Sequence, residues 1–347
     1  MEETHTPLDI DYTLPKKLNY DIKILDRFFQ KHHECNVIFY GGEPLMCIDK
    51  IKQIMDHVKV NNFLIQTNGL LLDQLESKYI NRFHTIMVSI DGEKKLTDYY
   101  RGKNTFTRVM NNLKLITDNG FRGELIARMT VMEKTDIYKQ VRFLLENNFF
   151  PFRSIHWQLN AGFWNDFSRR SFQRWILNNY NPGIRSLIQF WIENMKQTNE
   201  VLRLFPFMGI TQTMLKREKS RLRCGAGWIN YTIQTDGNII TCPNMWGIKN
   251  YYVGNINMSS VKNLKKMFVT QPCSRCEILD HCGGRCLYAN ILKRWTQSEY
   301  RLICNTVFNL KNEIETRIPE IEGLITQRKI KLENFEYMKF NGCEIIP

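Results

Sequence analysis

Seven of the ten cysteines in this 347-residue chain fall into one spacing pattern in its last third. Cys224 is followed by Gly237-x4-Cys242, then by Cys273-x2-Cys276-x5-Cys282-x3-Cys286, and finally by Cys304. The thiolate is the metal-binding form of cysteine, and closely spaced thiols gather soft metals as zinc sites or iron–sulfur clusters. Seven thiols within about 80 residues exceed the needs of one tetrahedral site and imply two.

Three arrangements compete for them. One zinc on Cys273, Cys276, Cys282 and Cys286 is chemically sound but leaves Cys224, Cys242 and Cys304 unexplained. Scattered buried thiols do not account for the CxxC pair or for the Gly-Gly-Arg turn between Cys282 and Cys286. Two iron–sulfur clusters account for all seven.

A second group of polar residues lies earlier in the chain. Gly41-Gly42-Glu43-Pro44 follows a short apolar run; paired glycines let a ligand approach the backbone, and Glu43 suits an ammonium group, but the motif also serves as an ordinary strand-to-helix turn. Ser89 and Asp91 flank another strand end, where they suit ribose hydroxyls or, equally, an N-cap and turn before Gly92. Arg128 sits inside an apolar strand. At a sheet edge it would snorkel to solvent, whereas in a strand buried on both faces it needs a carboxylate or phosphate partner.

The elements that must position these residues follow from hydrophobic periodicity. Helices are expected over 15–31, from Ile48 to Val58, over Leu71–Phe83, over Phe106–Thr117 and from Ile137 to Leu145. Strands are expected at Val37–Tyr40, Phe63–Gln66, Ile86–Ile90, Glu124–Val131 and Ser154–Leu159. Five strands alternating with helices predict right-handed crossovers and a parallel α/β sheet, open or curled into a barrel, with its chemistry at the carboxyl ends of the strands. The polar residues fall at those ends: Glu43, Asn68 in Thr67-Asn68-Gly69, Ser89 and Asp91, Arg128, and Gln158. Four segments result: a barrel over 1–160, a helical linker over 161–220 rich in aromatics (Phe163, Trp164, Phe167, Trp175, Phe190, Trp191), a cysteine-rich domain over 221–305, and a C-terminal helix and tail over 306–347, the helix expected over about 304–328.

Composition bounds the partners. The formal net charge of +13 serves solubility or meets an anionic partner, but no dense basic block or reader motif is present, so nucleic acid is not expected. The acidic start MEETHTPLDID does not read as a signal peptide, and no run of 18 apolar residues exists to span a membrane. Ten cysteines then read as reduced ligands in a cytoplasmic protein.

The set YGGEP, TNG, SIDG and Arg128, followed by this cysteine pattern, resembles radical S-adenosylmethionine (SAM) enzymes carrying the seven-cysteine SPASM extension. The resemblance covers essentially the whole chain, and SIHWQLNAGFWNDFSRR and the closing segment are similar to archaeal peptide-modifying members. It implies a partial (β/α)6 barrel that binds SAM. Gly41, Gly42 and Glu43 would hold the methionine ammonium; Ser89 and Asp91 would lie near the ribose and Arg128 near the carboxylate; Asn68 and Gln158 would line the same cleft. Cys224, Cys242 and Cys286 would ligate a first auxiliary [4Fe–4S] cluster, leaving its fourth ligand unassigned. Cys273, Cys276, Cys282 and Cys304 would ligate a second. The implied partners are a peptide or protein substrate and a reductant such as ferredoxin or flavodoxin.

Two departures qualify the resemblance. The family's SAM-cleaving [4Fe–4S] cluster is held by a CxxxCxxC motif at the first strand; this sequence has none, and Cys35 and Cys47 do not fit it. The expectation is a chain whose first residues follow that motif, with the barrel's first strand missing; otherwise SAM cleavage has been lost and the chain is a non-catalytic iron–sulfur or zinc module that binds a peptide. Further, the sulfatase maturases of the family carry a catalytic Asp directly after the second SPASM cysteine. Here that position is Pro243, which disfavours formylglycine formation and leaves crosslinking or epimerisation open.

Overall fold

The central strands bury side chains on both faces, as a parallel sheet flanked by helices demands. The computed structural model describes residues 8–32, 34–161, 167–293, 295–344 and 346–347. Among these, β1 (Asn36–Phe39), β2 (Asn62–Thr67), β3 (Phe83–Ser89), β4 (Glu124–Val131), β5 (Ser154–Leu159) and β6 (Arg203–Leu204) pair in chain order, each pair parallel. Helices α1 (Ile22–Phe29), α2 (Ile48–His57), α3 (Ser77–Ile80), α4 (Lys94–Arg101), α5 (Thr105–Asp118), α6 (Ile137–Glu146), α7 (Phe172–Trp175), α8 (Asn181–Thr198) and α9 (Phe205–Lys216) precede, connect or follow the strands. Side chains alternate along a strand. Ile65, Ile86, Val88, Ala127 and Met129 therefore join the helices in the main core, while Leu64, Met87 and Ile126 meet Phe205 and Cys343 in a separate buried cluster on the other face. The result is the expected α/β partial barrel with an interior of its own.

The cysteine-rich region opens with three antiparallel strands, β7 (Thr232–Ile233), β8 (Asn238–Ile240) and β9 (Tyr252–Asn255). Gly237, the glycine of the cysteine pattern, makes the β7–β8 turn. Its φ is +87°, and an added Cβ would lie 3.0 Å from Ile256 Cγ1, so only glycine fits without strain. Short helices α10 (Leu279–Cys282) and α11 (Leu287–Leu292) follow, then α12 (Gln297–Thr326), which starts in a Thr296–Glu299 capping box. Helix α12 binds the barrel side: Asn181 Nδ2 donates to Asn305 Oδ1 (2.8 Å) and Arg185 Nη1 to Asn309 Oδ1 (2.8 Å).

Several expectations need correction. The sheet has six strands, not five, and the extra one, Arg203–Leu204, lies beyond β5 inside the stretch expected to be helical linker. The helix expected over 15–31 begins at Ile22, where Asp21 caps it by accepting from the Lys23 N–H (2.9 Å). Leu71–Phe83 is no single helix. It holds a 3-10 turn at Leu72–Gln74 and the short α3, after which Phe83 enters β3 and packs edge-on against Phe39 at 6.1 Å. Helix α4 was not anticipated. Phe163 and Trp164 lie outside the described residues. The tail is no loose end: Cys343 and Ile346 are buried, and Cys343 lies in the cluster formed by the barrel's interior face.

Candidate functional site

The carboxyl ends of β1 to β5 carry one polar constellation. After β1, Gly41 (φ +154°) and Gly42 have no atom within 4 Å of where a Cβ would project, so this stretch of backbone is uncovered. Glu43 ties two strand ends together. Its Oε1 accepts from Leu45 N–H (3.0 Å) and Thr67 Oγ1–H (2.7 Å), and its Oε2 accepts from Asn68 N–H (2.6 Å). Asn68 Oδ1 accepts from Leu70 N–H (2.9 Å), and Asn112 Nδ2 donates to the Gly69 carbonyl (2.9 Å), which fixes the second turn.

Ser89, Arg128 and His156 are register neighbours across β3, β4 and β5 and form one lateral row. Arg128 donates from Nη2 to Gln158 Oε1 (3.2 Å), but its Nε is buried without a partner. The carboxylate or phosphate that a strand arginine calls for is thus not supplied by a direct contact at Nε, and the uncovered glycines lie at a strand end of the same sheet. These residues fit a zwitterionic ligand such as SAM. His156 was missed, although its period-2 spacing from Gln158 was available in the sequence.

Asp91 is placed otherwise than its motif suggests. It is 1% exposed, accepts from Arg101 Nε (2.6 Å) and Nη2 (2.7 Å), and also accepts from Thr130 N–H (2.9 Å). A carboxylate committed to a bidentate pair and a backbone amide offers little to a ribose. Its role here is to hold the end of β3 against α4 and β4.

The thiols form two neighbourhoods. Cys273, Cys276, Cys282, Cys286 and Cys304 line one part-open, apolar cavity. Burial pushes the Cys304 thiol up to about 12, helped by Cys273, Cys282 and Cys276, and pushes Cys282 up to about 11. Cys224 and Cys242 instead feel Cys286 and, in the case of Cys242, Cys224; burial raises Cys224 to about 12 and holds Cys242 well above the ordinary thiol range. Glu344, on the tail, also acts on Cys224, and its buried Oε1 has no partner. Thiols so shifted are protonated at neutral pH, and only a metal would draw out their thiolates. Four of the five thiols on this apolar cavity suffice for one iron–sulfur cluster; Cys224 and Cys242 with the shared Cys286, which acts on both, fit a second with three thiolates. Among the described residues no three His, Cys, Asp or Glu side chains converge on a single ion position.

No protein-family model matches the chain. It is 24% identical over 306 residues to the radical SAM cyclopropyl synthase TigE of Paramaledivibacter caminithermalis, covering 79% of this chain and 60% of that protein. It is 30% identical over 120 residues to an uncharacterized protein of Methanothermobacter thermautotrophicus, covering 31% of this chain and 45% of that one. The chain thus spans less than two thirds of the length of these curated relatives. Among solved structures it is similar to anSMEcpe with bound AdoMet and Cp18Cys peptide, at a TM-score of 0.68 and 17% identity over 88% of this chain and 90% of that one. Streptococcus suis SuiB bound to S-adenosylmethionine matches at a TM-score of 0.53 and 16% identity over 78% and 66%. The fold is the one that the radical SAM resemblance implies.

Proposed function

We propose that this chain is the SAM-binding and auxiliary-cluster scaffold of a radical SAM enzyme that modifies a peptide or protein. The observation that carries the reading is the gathering of Cys273, Cys276, Cys282 and Cys304 around one apolar cavity, in a chain whose strand ends leave Arg128 Nε without a partner. Glu43 and the Gly41-Gly42 backbone would receive the methionine ammonium and Arg128 its carboxylate. Ser89 and Gln158 would line the cleft, and Asn68 would set the turn between them and Glu43. Asp91 would act from behind, by positioning. When bound, a reduced [4Fe–4S] cluster supplies the electron that cleaves SAM to the radical which abstracts a substrate hydrogen. This sequence holds no CxxxCxxC for that third cluster.

Two auxiliary clusters, on Cys224, Cys242 and Cys286 and on Cys273, Cys276, Cys282 and Cys304, would pass electrons or hold the peptide. SuiB has been solved with the precursor peptide SuiA and anSMEcpe with the Cp18Cys peptide, which supports a peptide as the substrate. A net charge of +13 suits an acidic peptide segment or a small acidic electron donor such as ferredoxin or flavodoxin. Among the described residues no helix is long and apolar enough to cross a membrane; a cytoplasmic setting, which keeps the thiols reduced, belongs to the same proposal.

Anaerobic reconstitution followed by iron, sulfide and zinc quantitation tests the reading. About eight irons per chain are expected from two four-iron clusters, and Cys304→Ala should lose about half. Stoichiometric zinc with negligible iron would overturn it. The non-catalytic alternative predicts full iron and SAM binding, but no 5′-deoxyadenosine under strong reductant from a protein supplied with the missing motif.

A further inference from the structure

Two hydrogen-bond donors on the wall of the thiol-lined cavity have no acceptor. Arg285 Nε and Trp295 Nε1 are both buried and unpartnered, and both residues line that cavity. Trp295 is 7% exposed and held by Tyr300, whose ring lies edge-on at 5.1 Å. The Arg285 guanidinium carbon sits 5.5 Å from the centroid of the Trp295 ring. The backbone is shaped to put it there. Gly283, Gly284 and Arg285 have φ of +69°, +89° and +52°, and only the last carries a side chain in this disfavoured region. Buried N–H groups left without an acceptor cost free energy, and a native protein keeps them only for a reason. The acceptors this cavity can present are sulfurs.

We infer that Arg285 and Trp295 are the donors that set the reduction potential of the cluster on Cys273, Cys276, Cys282 and Cys304, and are not inert wall. This rests on the cluster reading above. A guanidinium carries a delocalised positive charge. Its charge already favours the thiolate forms of Cys273, Cys282 and Cys304. A one-electron reduction adds negative charge to the cluster, so a fixed cation and two unpartnered N–H donors on residues lining the cavity would stabilise the reduced state and raise the potential. Among the described residues no cation is found acting on Cys224 or Cys242, so the two clusters would differ in potential, with the Arg285 side the better electron acceptor.

The test is an EPR-monitored redox titration, with dithionite as reductant, of reconstituted wild type, Arg285→Met, Arg285→Lys and Trp295→Phe. Arg285→Met should keep full iron and lower the reduced-to-oxidised ratio of the signal lost in Cys304→Ala at least tenfold at fixed potential, which is 59 mV for one electron. Arg285→Lys should recover part of that shift. Trp295→Phe, which keeps the ring and removes the N–H, should move the midpoint the same way by less, and the other cluster's signal should stay put. Unchanged midpoints at full iron would overturn the inference, and so would loss of the cluster in both Arg285→Met and Trp295→Phe, since that marks them as structural. A wild type that takes up no iron would instead sink the cluster reading.

Discussion

Asp91 shows what a motif conveys and what it conceals. Ser89-Ile90-Asp91-Gly92 reads as a pair of ligands at a strand end, yet the Asp91 carboxylate is closed off by Arg101, ten residues along the chain. The partner was hidden because its helix, Lys94–Arg101, is short and mostly polar, and a pairing made by a turn of the chain has no periodic signature. Arg128 is the opposite case. Its charge inside an apolar strand was itself the signal, and the structure leaves its buried Nε unmatched. The seven cysteines were legible from spacing alone; which of them share a cavity depends on how the chain folds back, because Cys304 reaches it from α12. The Asp91 pair is testable. Removing one member of a buried pair strands the other, so Asp91→Asn should cost about 3 kcal/mol or more. Ser89→Ala, with no such pair to break, should cost less than about 1 kcal/mol. Denaturant midpoints of the two variants check this, and equal costs would show that the pair holds nothing.

At the scale of elements, strands were the easier reading. β4 and β5 run over the residues expected, because strands buried on both faces appear as unbroken apolar runs between turn residues. β6 was not readable, since two residues carry no period and its place is set by pairing with Ser154 and Ile155. The turns are where elements and site meet. Gly69 ends the Thr67-Asn68-Gly69 turn at φ +77°, and a Cβ there would lie 2.9 Å from Val88 Cγ1 and 3.3 Å from Val109 Cγ2, in the core. Gly69→Ala therefore meets both strain and a packed wall and should cost about 1–3 kcal/mol. Because Asn68 N–H donates to Glu43, the shift should also reach the ammonium subsite proposed at Glu43 and weaken SAM binding severalfold by calorimetry. Gly323→Ala, in open space on α12, should be neutral or slightly stabilising and leave SAM binding alone.

Over the whole molecule, the last residues join the barrel to the cysteine domain. Tyr337 packs on Phe205 at 5.6 Å, Phe340 stacks edge-on against Trp228 at 5.4 Å, and Asn230 Nδ2 donates to both the Cys224 and Phe340 carbonyls. The sequence reading as a short tail could not foresee this, because burial of so polar a stretch as Asn341-Gly342-Cys343-Glu344 has no periodic signature. Glu344 is the costly member. Burial lifts its carboxyl to about 8 from an ordinary 4.5, against the pull of the Phe340 amide, Arg223 and Lys339. The proton is therefore kept in the folded protein and released in the unfolded chain. This contribution to stability is complete below about pH 4.5, falls as pH rises through the interval, and is gone above about pH 8. Each pH unit is worth about 1.4 kcal/mol, so the whole loss amounts to a few kcal/mol. Glu344→Gln keeps the shape and cannot ionise. It should match wild type near pH 5 and exceed it in stability near pH 8.5, as read by melting temperature of the reconstituted protein. A variant less stable than wild type at pH 8.5 would show that the carboxylate is ionised and held by Arg223, making the tail an electrostatic clasp in place of a neutral plug.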